Sequence, residues 1–369
     1  MTKNFEAWLL EELYMAYRNA RIGGKRKTMN EHRFEINEME NLINLRDSII
    51  ARRYKPSRSI AFIIHDPVAR EIFAAPFVDR VVHHFLFKFT NAWWEPRLNK
   101  GAYSCRIGKG TQYAIKDLQH NIRQVSINGT ISTIIVKLDI QGYFMSLKRQ
   151  RLYDRIIWGL NQQFPDRSDK LYKLLKYLWR EVIMDDPVTG VQYRGNPHDW
   201  DDVAPTKILR NQPKGQGIVI GNLTSQLLSN IYLDQLDRFI TFGLGRKNYG
   251  RYVDDFYIVA KKSEYAQILC DIEEIRDFLK SIELTLHPKK VKIYDARSGV
   301  DFLGFVIYKD HIVPGKRLKS HYADLVYKIA TTGEGKLEGL NSYDSLSTSF
   351  DGKKLSHDLF EAVGWKYKF

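Results

Sequence analysis

The sequence is poor in cysteine: only Cys105 and Cys270 occur among 369 residues, and they form no Cys-x-x-Cys pair. This excludes a disulfide framework or a cysteine-rich zinc cluster and suits a reducing compartment. No apolar run approaches the roughly 20 residues that a membrane-spanning helix needs, and residues 1–8 lack the pattern of a secretory signal. No internal repeat or low-complexity tract is present. We therefore expect a cytoplasmic protein without a membrane partner.

Positive charge is in excess, with 57 Lys and Arg residues against 43 Asp and Glu, a net charge of +14. A surplus of this size is typical of contact with a polyanion, either nucleic acid or an acidic membrane face. The alternative is a soluble protein that is basic without such a partner. Hydrophobic residues make up 44% of the chain, enough for a large core in two or three packing units.

The spacing of apolar residues predicts both helices and strands, and residues 185–215, rich in Pro, Gly, Asp and Asn, are expected to form a long loop. A turn is predicted at Asp66-Pro67, and the last 55 or so residues are predicted to be helical and basic. This arrangement indicates the α+β class. The predicted helices cover residues 5–20, 38–52, 79–91, 222–239 and 264–281. The predicted strands cover residues 60–64, 70–74, 131–138, 291–294 and 302–308.

Two adjacent acids lie in the segment Tyr252-Val253-Asp254-Asp255, with apolar residues on both sides. Residues 251–260 are predicted to form two short strands around a turn, so both carboxylates would project from the tip of a hairpin. Aspartate also suits turns for local reasons, and a lone Asp-Asp turn is explained by that preference.

A third acid supports a different interpretation, because Asp139 ends the apolar, β-branched run over residues 131–138. A buried carboxylate there is costly without a cation or hydrogen-bond partners. Three carboxylates offered from strand ends repel one another unless divalent cations lie between their oxygens. Mg²⁺ prefers oxygen ligands, and two such ions about 3.5–4 Å apart can activate an attacking hydroxyl and stabilise a leaving pyrophosphate. The acids therefore indicate nucleotidyl transfer.

These acids and the segments around them resemble the catalytic pattern of reverse transcriptases, in order from about residue 65 to residue 310. The resemblance implies an RNA-directed DNA polymerase with a right-hand α+β fold and two Mg²⁺ ions, for which Mn²⁺ is a substitute. The implied organisation is a helical extension over residues 1–55, fingers over 56–130, an antiparallel-sheet palm over 131–310 with an insertion at about 150–215, and a helical thumb over 311–369.

The same resemblance implies roles for individual residues. The positions implied to bind metal are Asp139, Ile140, Asp254 and Asp255. The positions implied to act in catalysis are Asp139, Asp254, Asp255 and Lys290. The positions implied to bind the dNTP are Arg70, Arg80, Phe144, Ile220 and Gln226. The positions implied to bind nucleic acid are Arg106, Lys109, Phe302, Leu303 and Gly304.

Some of these roles also have a physical reason. Phe144 lies five residues past Asp139, where a ring beneath the incoming sugar would exclude a 2′-hydroxyl; an ordinary core phenylalanine is the alternative. Arg70 can clamp a triphosphate with its bidentate fork. Arg80 is also explained by an ion pair with Asp79 at a helix start.

Other roles compete with simpler explanations. Lys290 would donate a proton to the departing pyrophosphate, with Lys289 as a competitor and a solvated lysine as the alternative. Gln226 would meet the nucleotide or the templating base, or be an ordinary exposed glutamine. Residues 286–320 contain eight Lys or Arg and three Asp or Glu, a bias that suits tracking a duplex backbone, with a solvated surface as the alternative.

The segment over residues 217–226, Gly-Ile-Val-Ile-Gly-Asn-Leu-Thr-Ser-Gln, narrows the resemblance. Group II intron enzymes read Gln-Gly-Gly and then Ser-Pro, whereas this form resembles the reverse transcriptases of diversity-generating retroelements, as do residues 200–207 and 341–343. Val219 replaces the usual proline, and the region after residue 343 departs from the family pattern. The resemblance implies a prokaryotic or phage enzyme that copies structured template-repeat RNA into adenine-mutated cDNA. Its implied partners are that RNA, the cDNA, dNTPs and a small basic accessory protein. The resemblance does not fix the oligomeric state of that accessory protein.

Two alternatives remain open. One is another prokaryotic reverse transcriptase, of the phage-defence or group II-like kind, which a template repeat beside a variable region in the genome would exclude. The other is a non-catalytic RNA-binding scaffold with a polymerase fold. The intact Asp139, Asp254 and Asp255 argue against the scaffold, since a pure binder has no use for clustered acids beside nucleic acid.

Overall fold

The computed structural model describes residues 4–22, 29–65, 68–333, 335 and 337–365, so the turn expected at Asp66-Pro67 lies outside the described residues. The helices are α1 (Phe5–Ala20), α2 (Met29–Ile36), α3 (Glu38–Ile50), α4 (Phe77–Trp94), α5 (Thr111–Val125), α6 (Tyr143–Ser146), α7 (Arg149–Gln163), α8 (Lys170–Met184), α9 (Leu223–Arg238), α10 (Tyr265–Ser281), α11 (Lys316–Thr332), α12 (Leu337–Thr348) and α13 (Lys353–Ala362). The strands are β1 (Ile60–Ile64), β2 (Arg70–Ala74), β3 (Thr133–Asp139), β4 (Gln192–Tyr193), β5 (Tyr249–Tyr252), β6 (Asp255–Lys261), β7 (Lys292–Asp295), β8 (Val300–Phe302), β9 (Phe305–Ile307) and β10 (Ile312–Pro314).

Most predicted elements lie where the apolar pattern placed them, with two corrections. The prediction of a single strand over residues 302–308 is wrong, because β8 and β9 are joined by a tight turn at Leu303-Gly304, where both residues have positive φ. The predicted long loop over residues 185–215 contains β4 and three 3-10 helices. Short apolar runs do not reveal where a chain reverses, and closely spaced 3-10 turns have no strong periodicity.

Contacts divide the chain into two units, and the first comprises Met1–Asn99, Ile140–Gln235 and Leu279–Thr285. In this unit α1 packs on α3 and α4, and α7 packs on α8. The side chain of Asp169 caps α8 by accepting from two backbone N–H groups. The sheet has the order β2-β1-β4, in which β1 and β2 are antiparallel and Ile64 pairs with Arg70.

The second unit comprises Lys100–Asp139, Leu236–Phe278 and Leu286–Phe369. Its main sheet is antiparallel, with the order β5-β6-β3-β7, and α5 packs on it with a core that includes Ile115, Leu118 and Ile135. A smaller sheet has the order β10-β9-β8, and α11, α12 and α13 pack around the buried Tyr322. Among the described residues, no helix is both long and apolar enough to cross a membrane.

Candidate active site

The register of the main sheet places two of the predicted acids opposite each other. β3 ends at Asp139, β6 begins at Asp255, and antiparallel pairing aligns these two residues. Directly opposite residues have Cβ atoms about 4.5–5.5 Å apart. The third acid, Asp254, lies in the two-residue turn between Tyr252 and Asp255, which are themselves paired. One end of the sheet therefore carries all three aspartates.

The turn that presents Asp254 is strained. Val253 has a φ of 60°, in the left-handed region that β-branched residues rarely adopt. Two-residue hairpin turns that need a positive φ usually take Gly, Asn or Asp at that position. Backbone strain of this kind concentrates at functional sites, where the surrounding structure enforces it. The strain was not predicted, although a valine in a two-residue turn was a readable sign of it.

Asp255 is the most perturbed of the three acids. Its Oδ2 lies 3.1 Å from Nζ of Lys137, and its Oδ1 is buried with no hydrogen-bond partner among the described residues. Burial raises the pKa of Asp255 to about 6, with smaller contributions from the charges of Asp139 and Asp254, while Lys137 opposes the increase. Within the described part of the chain, one oxygen of this buried carboxyl group therefore accepts no hydrogen bond.

Asp139 is paired with the lysine that the sequence indicated. Its Oδ2 accepts a hydrogen bond of 2.9 Å from Nζ of Lys290, whose side chain is half exposed. Lys289 instead donates its backbone N–H to Nδ1 of His287. The side chain of Ile140 is buried, so only its carbonyl oxygen could be a metal ligand.

The donor set fits a hard divalent cation better than any other metal. All the candidate ligands are oxygens, which suit Mg²⁺ or Mn²⁺, and the buried Oδ1 of Asp255 is an orphaned acceptor. The three carboxylates do not form a group whose ligand oxygens all lie within 4.8 Å of one another. Lys137 and Lys290 each contact one carboxylate oxygen, so a bound cation would compete with these two ammonium groups for Asp255 and Asp139.

In the first unit, backbone hydrogen bonds connect β2 with the segments that carry Phe144 and Ile220, two of the residues predicted to bind dNTP. The backbone N–H of Phe73 in β2 donates to the carbonyl of Ile220, and the N–H of Ile218 donates to the carbonyl of Phe144, at 2.9 and 3.0 Å. Phe144 and Ile220 pack, half-buried, against one core cluster around Phe73. Arg70, at the start of β2, is exposed.

Gly221 allows β2 to approach this segment closely. Its φ is +123°, and a Cβ atom there would lie 2.8 Å from the carbonyl oxygen of Phe73. No side chain fits that space without moving the β2 backbone, so the glycine keeps the hairpin against residues 217–221.

The other two residues predicted to bind dNTP are placed differently. Nε of Arg80 donates to the carbonyl of Ala75 at 3.0 Å, and burial lowers the pKa of Arg80. The alternative of an ion pair with Asp79 gains no support, because that carboxylate accepts from the Tyr54 hydroxyl and the Ser57 backbone. Gln226 is exposed in the first turn of α9.

Comparison with known proteins identifies the family. Residues 80–307, more than half of the chain, match the family described as Reverse transcriptase (RNA-dependent DNA polymerase). The chain belongs to this family. It is 21% identical over 360 residues to Protein YkfC of Escherichia coli strain K12, covering 85% of each chain. It is also 22% identical over 269 residues to Nuclear intron maturase 2, mitochondrial, of Arabidopsis thaliana, covering 64% of this chain and 35% of that protein.

Family membership supports an RNA-directed DNA polymerase with an α+β fold, RNA and dNTPs as substrates, and divalent metal ions. The segment shared with other reverse transcriptases contains Asp139, Asp254, Asp255 and Lys290, whereas Arg70 lies before it. The chain spans about a third of the length of the Arabidopsis relative.

The residues predicted to bind nucleic acid in this reverse transcriptase lie in two turns of the second unit. Nη1 of Arg106 donates to the carbonyl of Ala102, and Nζ of Lys109 lies 5.8 Å from the ring centroid of Tyr103. Phe302 is buried and packs edge-on against Tyr257. Its ring therefore holds the Leu303-Gly304 turn in place, and contact with nucleic acid would fall to that turn. These roles remain predictions.

Sequence reasoning missed Lys137 as a residue of the site, although its spacing from Asp139 on the predicted strand indicated that the two side chains share a face. Side chains two residues apart on a strand share a face, so Lys137 and Asp139 lie on the same side of β3. Nζ of Lys137 also donates to the carbonyl of Asp301 at 2.9 Å. This lysine therefore links the acid at the start of β6 to the start of β8.

Proposed function

We propose that this reverse transcriptase copies RNA into DNA through a catalytic centre formed by Asp139, Asp254 and Asp255, with Mg²⁺ as the usual ion and Mn²⁺ as a substitute. The observation that carries the proposal is the register of β3 and β6, which aligns Asp139 with Asp255. When bound, two ions would activate the primer hydroxyl and stabilise the leaving pyrophosphate. In this proposal the main sheet is the palm, the β1–β2 hairpin belongs to the fingers, and α11–α13 form the thumb.

The two lysines have separate proposed roles. Lys137, three-quarters buried, neutralises Asp255 in the absence of metal. Lys290 is half exposed, so its ammonium group can leave Asp139 and carry a proton to pyrophosphate. A nearby phosphate would favour the charged form of Lys290 until that proton is given up.

The first unit is proposed to select the nucleotide. Arg70 is exposed at the start of β2, and its guanidinium fork would hold the triphosphate. Phe144 would exclude the 2′-hydroxyl, and Ile220 would contact the nucleotide through its apolar side chain. Roles for Gln226 and Arg80 rest on the resemblance of their motifs, and the bond to the Ala75 carbonyl engages only Nε of Arg80.

The test compares Asp254→Asn and Asp255→Asn with Asp324→Asn, which removes an exposed acid from α11 in the same unit. We expect both active-site variants to lose at least about a thousandfold in primer-extension rate with Mg²⁺, since charge stabilisation of this kind supplies several kcal/mol. The control variant is expected to keep the wild-type rate. Circular dichroism checks that all three fold, and near-normal extension by either active-site variant would remove that residue from the catalytic centre.

We further propose that the template is the repeat RNA of a diversity-generating retroelement and that copying is error-prone opposite adenine. The support is the sequence of residues 217–226, together with the backbone hydrogen bonds that join this segment to Phe144 and β2. A change of sequence in this segment would therefore affect the residues proposed to bind the nucleotide. The assay is deep sequencing of cDNA made with the native RNA and the accessory protein, for wild type and for variants at Arg70, Ile220 and Gln226. Errors spread evenly over the four template bases would contradict the retroelement role but not the proposal that the protein is an RNA-directed DNA polymerase.

A further inference from the structure

The second unit contains an ion pair that is completely buried. Nε and Nη2 of Arg251 donate to the two carboxylate oxygens of Asp237, each at 2.7 Å, and neither side chain is exposed. The hydroxyl of Tyr249 donates a third bond to Asp237, at 2.6 Å. Burying an ion pair is costly, and an apolar pair of similar volume is often at least as stable. The charges therefore call for an explanation other than stability.

The remaining guanidinium nitrogen offers that explanation. Nη1 of Arg251 donates to the carbonyl oxygen of Val253 at 3.0 Å. This carbonyl belongs to the peptide that joins Val253 to Asp254, and Val253 is the residue with the strained φ of 60°. The bond therefore fixes the plane of the peptide from which Asp254 projects.

Arg251 is itself held at both backbone groups. Its N–H donates to the carbonyl of Gly101 at 2.7 Å, and its own carbonyl accepts from the N–H of Tyr103 at 3.0 Å. Because the backbone and the guanidinium group of Arg251 are both held, its Nη1 has a fixed position relative to the Val253 carbonyl. A complete fork of this kind also requires arginine, because a lysine ammonium cannot engage both carboxylate oxygens and the carbonyl in one plane.

We propose that Arg251 is a positioning residue, oriented by Asp237, which holds the strained Val253–Asp254 turn in the conformation that DNA synthesis requires. Being buried, Arg251 acts through the turn and does not touch the substrate. The inference rests on the proposed catalytic role of Asp254 and Asp255. It assigns the buried pair a kinetic role rather than a stabilising one.

The test uses Arg251→Met combined with Asp237→Asn, which removes both charges and leaves an amide oxygen to accept from Tyr249. The matched control is Arg246→Met with Asp271→Asn, a second ion pair of this unit, with an Nε–Oδ2 distance of 2.6 Å. The first readout is the kcat and KM of single-nucleotide extension. The second is hydrogen exchange of the Asp254 and Asp255 amides, which needs no activity.

We expect the Arg251 pair variant to lose at least about 30-fold in kcat with dNTP KM within about threefold of wild type, and its two amides to exchange at least about tenfold faster. The control pair should keep both values. An unchanged kcat in a folded variant, or equal exchange in the two variants, overturns the proposal. If the double variant fails to fold, Arg251→Lys decides, with a five- to tenfold loss of kcat expected and an unchanged kcat contradicting it. Should wild type itself lack extension activity, the proposed function fails, while amide exchange still decides whether Arg251 holds the turn.

Discussion

Asp255→Asn is expected to stabilise the protein while abolishing DNA synthesis. In the folded chain, burial raises the pKa of Asp255 from 3.8 to about 6, even with Lys137 beside it. The folded state therefore binds a proton more tightly than the unfolded state, so the charged carboxyl group destabilises the fold above pH 6 and ceases to do so below about pH 4. The difference between the folded and unfolded pKa values of Asp255, about two, corresponds to a destabilisation of about 3 kcal/mol at pH 8.

The assay is thermal unfolding in EDTA, with the free energy of unfolding compared at pH 8 and at pH 4. We expect Asp255→Asn to gain up to about 3 kcal/mol over wild type at pH 8 and to match it at pH 4. The exposed control, Asp324→Asn, is expected to match wild type at both values. Added Mg²⁺ should narrow the gap at pH 8, because a cation bound only to the folded wild type stabilises it. A variant less stable than wild type at pH 8, or a gain that persists at pH 4, would show that the buried charge of Asp255 does not destabilise the fold.

Two further predictions concern the first unit. Phe144→Ala should raise ribonucleotide use relative to deoxynucleotide use, since removing the half-buried ring opens space beneath the sugar. The measurement is kcat/KM for matched dNTP and rNTP pairs. An unchanged ratio of the two kcat/KM values would make Phe144 an ordinary core residue. Gly221→Ala should lower the free energy of unfolding by about 2 kcal/mol or more, since a Cβ there meets the Phe73 carbonyl at 2.8 Å. Gly215→Ala, with φ +78° and open space, is the matched control, expected to cost about 1 kcal/mol; equal losses would show that the close approach at Gly221 has no energetic weight.

Local patterns in the sequence identified the elements that carry the site. The runs over residues 60–64 and 70–74 match β1 and β2 residue for residue, because short segments with adjacent Ile and Phe residues on either side of a turn signal favour strands. Asp139 was predicted at the end of its strand from the apolar run before it, whereas Asp255 was predicted at the tip of the hairpin and is the first residue of β6. The helices over residues 149–163 and 170–184 were missed in the predicted insertion, although Leu174, Leu175 and Leu178 mark the buried stripe of α8.

Local sequence patterns were sufficient to name the candidate residues for the chemistry: three acids beside apolar strands, a lysine-rich segment and a glycine-bearing motif. The pairing of Asp139 with Asp255 depends on the folded chain, because the register between β3 and β6 joins residues more than a hundred positions apart, and no local pattern encodes such a pairing. The same holds for Lys137 beside Asp255 and for Arg251 beneath the Val253 carbonyl. From sequence alone, a lysine or arginine is interpreted as a solvated surface charge. Folding can remove water from it and leave a carboxylate or a carbonyl as its partner, and the sequence does not show this.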